Sequence, residues 1–98
     1  MQLLLHLVAA GLSAQEAVDA PRFCITDGTA GGVVALEEGL CSPAVAAALK
    51  AMGHPIVGPL RGHDRANFGR AQVITRDRTS GVLAGGSDGR ADGCAMGY

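Results

Sequence analysis

GRAQVITRDRTSGVLAGGSDGRADGCAMGY, residues 69 to 98, decides how the chain is read. Ala71 to Arg76 and Val82 to Gly85 are β-type runs, and Asp77-Arg78-Thr79-Ser80-Gly81 between them is turn chemistry, which predicts a hairpin. The following GGSDGRADG is too glycine-rich for a helix. It is read either as a working site or as a structural clasp.

Outward from that hairpin, Ser42 caps a helix with Pro43 at its first position, where the missing N–H costs nothing. Val45, Ala48, Leu49 and Met52 fall at i, i+3, i+4 and i+7, predicting one apolar stripe. Gly53 is a left-handed stop with Pro55 beyond it. Upstream, residues 2 to 10 read as a helix ended by Gly11. Ser13-Ala14-Gln15-Glu16 matches a capping box for a second helix, which Pro21 ends near Asp19. Phe23–Thr26, Val33–Glu37 and Ile56-Val57 are short strand candidates, and Gly58 to Asn67 reads as a loop. The order of elements predicts one domain over residues 1–98, of α/β (α+β) class, with helices layered on strands.

Composition narrows the function. The 98 residues are 48% hydrophobic but only 3% aromatic, with a formal net charge of −1. That balance gives no global attraction to nucleic acid or acidic membranes. Cys24, Cys41 and Cys94 form no CxxC pair, and His6, His54 and His63 lack metal-type spacing, so neither a disulfide framework nor a structural zinc site is expected. No apolar run approaches the ~20 residues of a membrane span. The Leu3–Ala10 run lacks the basic flank of a signal peptide.

Each local candidate has a plainer reading beside it. Arg61, Arg65, Arg70, Arg76 and Arg78 surround Phe68, as a nucleic-acid patch would require. Asp64 and Asp77 interleave with them, and solvated ion pairs are the expectation. Asp88 and Asp92 offer oxygens to a cation but lack calcium-loop spacing. Gly85-Gly86-Ser87 could present amides to an anion, yet no helix begins there. Ser87 has no local histidine, and His54 and His63 are distant in sequence. Cys24 and Cys94 would need an electropositive niche to act as nucleophiles. An Asp88–Arg90 turn network is the preferred reading of the tail, with no catalytic, substrate-binding or metal residue assigned and no cofactor expected.

Five stretches taken in order carry a resemblance: QLLLHLVAAGLSAQEAVDAPRF (2–23), VVALEEG (33–39), LKAMGHPIV (49–57), GRAQVI (69–74) and GVLAGGSDGRADGCAMGY (81–98). Across nearly the whole chain it resembles the C-terminal part of the small subunit of γ-glutamyltranspeptidases. The family usually carries proline where this chain has Gly89, which bears on the rigidity of the turn.

The resemblance implies part of an α-β-β-α N-terminal nucleophile hydrolase sandwich, its helices on a mainly antiparallel sheet. It implies an enzyme whose N-terminal threonine attacks a γ-glutamyl amide, such as that of glutathione, and passes the acyl group to water or an amino acid. It places that threonine and the glycine-rich oxyanion segment upstream of Met1. Thr26, Thr29, Thr75 and Thr79 are internal and match none of them. The implied partners are the remainder of the small subunit and a large subunit. The implied compartment is often outside the cytoplasm, although this chain carries no convincing export signal. The alternative is a free-standing, non-catalytic α/β interaction module.

Overall fold

The computed structural model describes residues 1–96; Gly97 and Tyr98, the end of the stretch quoted first, lie outside the described residues. The chain divides into two compact units. One joins Met1–Ala20 to the segment from Gly69 onward, and the other is Pro21–Phe68.

In the first unit, helix α1 (Gln2–Leu4) continues as a π-helical stretch, Leu5–Ala9. Gly11 follows at φ 67°, the left-handed geometry expected of a stop. The Ser13 hydroxyl accepts from Glu16 N at 3.3 Å, and Ser13 N donates to the Glu16 carboxylate at 2.8 Å. This reciprocal box starts α2 (Ala14–Asp19) and satisfies donors the helix cannot reach. Ala20 turns to extended geometry ahead of Pro21, as the proline ring demands.

Ala14, Ala17 and Val18 form the buried face of α2, at i, i+3 and i+4. That face packs on the hairpin of β4 (Gln72–Arg76) and β5 (Leu83–Ser87). The strands pair antiparallel, from Gln72 opposite Ser87 to Arg76 opposite Leu83. At Gly86 an added Cβ would press into the Ala14 backbone, so the close approach of helix and strand requires glycine there. In the connecting turn, Asp77 Oδ1 accepts from Thr79 N, Ser80 N and Ser80 Oγ at 3.0, 2.6 and 2.7 Å. β5 runs through Ser87, so Gly85-Gly86-Ser87 are ladder residues rather than part of a loose tail.

In the second unit, β1 (Phe23–Ile25) pairs antiparallel with β2 (Val34–Glu37), and β2 pairs parallel with β3 (Ile56–Leu60). Helix α3 (Pro43–Ala51) is the crossover that a parallel pair requires. Ser42 caps it, accepting from Val45 N at 3.3 Å, and Gly53 follows at φ 95°.

Two sequence expectations are corrected by the structure. The predicted stripe on α3 is packed only at Leu49, which is half-buried together with Ala46 from outside the stripe; Ala48 is exposed, Val45 is 48% and Met52 74% exposed. Lys50 is the helix's one charged residue, so apolar side chains run almost all the way round. A 3.6-residue pattern then marks more than one candidate face. The segment 58–67 is not a loop either. β3 continues to Leu60, whose carbonyl accepts from Glu38 N at 3.1 Å, and a 3-10 helix spans Gly62–Phe68. Gly58 makes this possible: it sits at φ 129° against the Leu36 carbonyl, where no Cβ fits. Among the described residues no helix is long and apolar enough to cross a membrane.

Candidate functional site

Burial of charge marks one cluster in each unit. In the first, Asp88 and Arg90 follow β5 directly, and both side chains are about 1% exposed. Arg90 Nη1 donates to Asp88 Oδ1 at 3.0 Å and to the Val18 carbonyl at 2.7 Å, while Nη2 donates to the Ala20 carbonyl at 3.0 Å. The guanidinium therefore answers the orphan carbonyls at the C-terminal end of α2, where the helix dipole also favours a cation. Asp88 Oδ1 accepts Arg90 N at 3.0 Å, and Oδ2 accepts Ala71 N at 3.1 Å. Helix end, strand start and C-terminal segment meet on these two side chains.

In the second unit, Glu37 ends β2 with its carboxylate buried. Its Oε2 accepts Arg22 N at 2.7 Å, and its Oε1 accepts Arg65 Nε at 3.0 Å. Arg22 Nη1 reaches the Phe68 carbonyl at 3.5 Å. The carboxylate thus joins the start of β1 to the 3-10 helix. Charge-assisted bonds of this kind compensate the desolvation that a buried ion suffers. Sequence reasoning misses Arg22 and Glu37. Their only local signal is a charge at the end of an apolar strand.

The other predicted candidates disperse. Arg61 pairs with Glu38 at the surface and Arg65 with Glu37, while Arg70, Arg76 and Arg78 belong to the other unit. Phe68 is buried, which removes the stacking surface a single strand would need. The Ser87 hydroxyl donates to Gln72 Oε1 at 2.8 Å, and Ser87 N donates to Gln15 Oε1 at 3.1 Å. Neither a nucleophile nor an anion cradle is formed at that position. Burial, reinforced by the negative charge of Glu37, pushes the Cys24 thiol up and keeps it protonated, the unreactive form. Among the described residues no group of His, Cys, Asp and Glu could hold a metal ion.

Two hollows flank α3. One, of about 290 Å³, is lined by Leu36, Cys41, Ala46, Lys50, Ile56 and Pro59, among others; the other, about 680 Å³ and more open, by Phe23, Ile25, Val34, Leu49 and His54. Among the described residues no hydroxyl or thiol hydrogen-bonds a histidine.

A family model described as Gamma-glutamyltranspeptidase matches residues 1–98. A cephalosporin acylase from Bacillus halodurans is 37% identical with a TM-score of 0.77, over 100% of this chain and 18% of that one. A gamma-glutamyltranspeptidase from Pseudomonas nitroreducens, complexed with L-DON, is 24% identical with a TM-score of 0.73, over 99% of this chain and 47% of that one. The Bacillus anthracis transpeptidase enzyme CapD is 21% identical with a TM-score of 0.76, over 100% and 54% respectively. No curated protein matches. The chain spans about half of the second and third of these structures, and less than a fifth of the first.

Proposed function

This chain belongs to the gamma-glutamyltranspeptidase family, and we propose that it is a structural segment of a γ-glutamyl-transferring N-terminal nucleophile hydrolase. In that reading the acyl chemistry is carried by polypeptide beyond these 98 residues. A threonine there attacks the γ-glutamyl carbonyl, its own α-amino group or a water takes the proton, and main-chain amides stabilise the oxyanion. The acyl-enzyme then gives its glutamyl group to water or to an amino acid. The partners of this segment are the remainder of a small subunit and a large subunit.

One observation carries the reading. The threonine and serine hydroxyls engaged in hydrogen bonds serve caps, turns and strand contacts: Thr29 on Asp27, Thr75 on the Ala84 carbonyl, Ser80 on Asp77 and Ser87 on Gln72. These hydroxyls belong to the scaffold, which supports placing the acyl transfer on residues elsewhere. Large apolar side chains left in solvent, among them Leu4, Val8, Met52, Ile74 and Leu83, favour this reading over a free-standing module.

The test is a γ-glutamyl-anilide assay on the purified 98-residue chain. No release above background is expected, and turnover would overturn the assignment. The module reading predicts instead a soluble monomer that unfolds cooperatively, which thermal melting and sedimentation measure together.

A further inference from the structure

Asp27, Asp88 and Asp92 each precede a glycine, Gly28, Gly89 and Gly93. That pairing has a chemistry of its own. A main-chain nitrogen can attack the Cγ of the aspartyl residue before it once the carboxyl is protonated. An N–Cγ bond forms, the carboxyl hydroxyl leaves with the amide proton as water, and a five-membered succinimide remains. Water then reopens the ring. Opening at the Cα carbonyl leaves the chain running through Cβ and Cγ, an isoaspartyl linkage of unchanged mass and oxidation state. Glycine favours the attack because no Cβ crowds the nitrogen or restricts the dihedrals. Asp19, Asp64 and Asp77 precede Ala20, Arg65 and Arg78 instead.

The fold treats the three pairs differently. At Asp88 the nitrogen is open but the carboxyl is not. Gly89 N donates to no described residue, yet Asp88 Oδ1 accepts from Arg90 N and Arg90 Nη1, and Oδ2 from Ala71 N, with the side chain about 1% exposed. A guanidinium partner favours the ionised carboxylate, which has no hydroxyl to lose. At Asp27 both groups are held. Its Oδ1 accepts from Thr29 N and Thr29 Oγ1, each at 2.9 Å, and these bonds keep the carboxyl below its usual range. Gly28 N donates to the Ile25 carbonyl at 3.2 Å.

Asp92 has neither safeguard. It is exposed, and among the described residues its carboxylate makes no hydrogen bond or ion pair. Gly93 N is tied to the Ala91 carbonyl alone, at 2.9 Å, in a three-residue turn centred on Asp92 itself. Bringing that nitrogen onto Cγ sacrifices one short-range bond and no burial of the carboxyl.

We propose that Asp92 is a modification site at which the folded chain isomerises spontaneously, through a succinimide with Gly93 N, to an isoaspartyl residue. The added methylene falls between the Asp88–Arg90 anchor and the contacts beyond it. Gly93 lies against the Gln72 carboxamide, and Ala95 occupies the space that a Cβ on Gly85 would need. Isomerisation lengthens the chain ahead of both contacts and releases the segment from the hairpin, while Arg90 keeps its bonds to the Val18 and Ala20 carbonyls. None of this depends on the function proposed above.

The test ages the full 98-residue chain in buffer at about pH 5, where a free aspartyl carboxyl is partly protonated. Trypsin, cutting after Arg22, Lys50, Arg78 and Arg90, then places the three pairs on separate peptides, 23–50, 79–90 and 91–98. The probe is an isoaspartyl methyltransferase, which moves a labelled methyl from the sulfonium of S-adenosylmethionine to the new α-carboxylate and leaves S-adenosylhomocysteine. Peptide 91–98 should split into two forms of equal mass, one accepting label. It should convert roughly tenfold faster than the other two, whose carboxyls react only after local opening. In denaturant the three rates should converge. Asp92→Glu, which would need a six-membered ring, should abolish the label in 91–98 and leave the melting temperature unchanged. In the aged chain the Gln72 and Gly85 amide resonances should shift, and that of Ala71 should stay.

Equal conversion of the three peptides in native buffer, or label first in 23–50 or 79–90, would overturn the proposal. So would label persisting in Asp92→Glu, or an unconverted 91–98 in the native chain when the denatured chain converts there. Conversion with Gln72 and Gly85 unmoved would refute the release of the terminal segment. These outcomes leave the anilide assay untouched, so the two readings fail separately.

Discussion

Arg90 Nη1 lies 3.0 Å from Asp88 Oδ1, two residues away, and the same nitrogen reaches the Val18 carbonyl 72 residues back in the chain. A local ion pair is thereby also the tie between the C-terminal segment and the end of α2. Asp88→Ala leaves a buried guanidinium uncompensated and is expected to destabilise the chain by about 3–5 kcal/mol. Asp88→Leu combined with Arg90→Met removes both charges and should recover much of that loss. Urea unfolding midpoints of the single and double variants measure both effects, and a double variant as weak as the single would refute the pairing account.

Glu37→Gln keeps the shape of the side chain and removes its charge. Arg22 N and Arg65 Nε then face a neutral amide in a buried setting. Replacing a charged acceptor there is expected to cost about 1–3 kcal/mol. The Arg65 Nε–H resonance is expected to be shifted by the Glu37 carboxylate in the parent chain and should move toward its solvent-exposed position in the variant. An unchanged resonance would show that the carboxylate does not hold Arg65.

Gly89 has no positive φ, an added Cβ there meets nothing within 4 Å, and its N–H donates to no described residue. A proline therefore loses no bond at this position and restricts the unfolded chain. Gly89→Pro is expected to stabilise by about 0.4–1 kcal/mol. A lower melting temperature for the variant would mean that the turn needs glycine after all.

Backbone N–H donation from Ser80, joined by the Ser80 hydroxyl and Thr79 N, holds the Asp77 carboxyl below its usual range. The folded pKa is depressed relative to the unfolded one. Its contribution to stability is thus complete above ~pH 5 and fades as pH falls through the folded pKa. Asp77 lies at the surface, so the effect is local. The protection factor of the Ser80 amide, its exchange rate relative to the unstructured rate at the same pH, should fall at acid pH, while Asp77→Asn should show a flat protection factor over the same range.

What the sequence disclosed was local chemistry. The Ser13–Glu16 box, the Ser42 cap with Pro43, and the Gly11 and Gly53 stops each involve residues within four positions, and all stand in the structure. The family was also legible, because five weak stretches kept their order. What stayed hidden depends on distance along the chain. Gln15 meets Ser87, Arg90 meets Val18 and Ala20, and Glu37 gathers Arg22 and Arg65. The sequence points to a shorter β3 because Gly58-Pro59 signals a break, whereas the glycine's positive φ carries the chain past Leu36. The face of α3 stayed ambiguous because an alanine-rich helix has no single polar side to exclude.

The interruption of one unit by the other sets an order in time. Residues 21–68 leave a ribosome before the hairpin of β4 and β5 has been made, and their strand pairs lie within that stretch. Helix α2 is synthesised earlier still, yet its buried face and its terminal carbonyls wait for residues 72 to 90. Closing so long a loop is slow compared with forming the inserted sheet. A nascent chain stalled before Gly69 therefore displays a completed unit of residues 21–68 and an α2 still without its hairpin, and it is the stretch from Gly69 onward that makes α2 resistant to proteolysis.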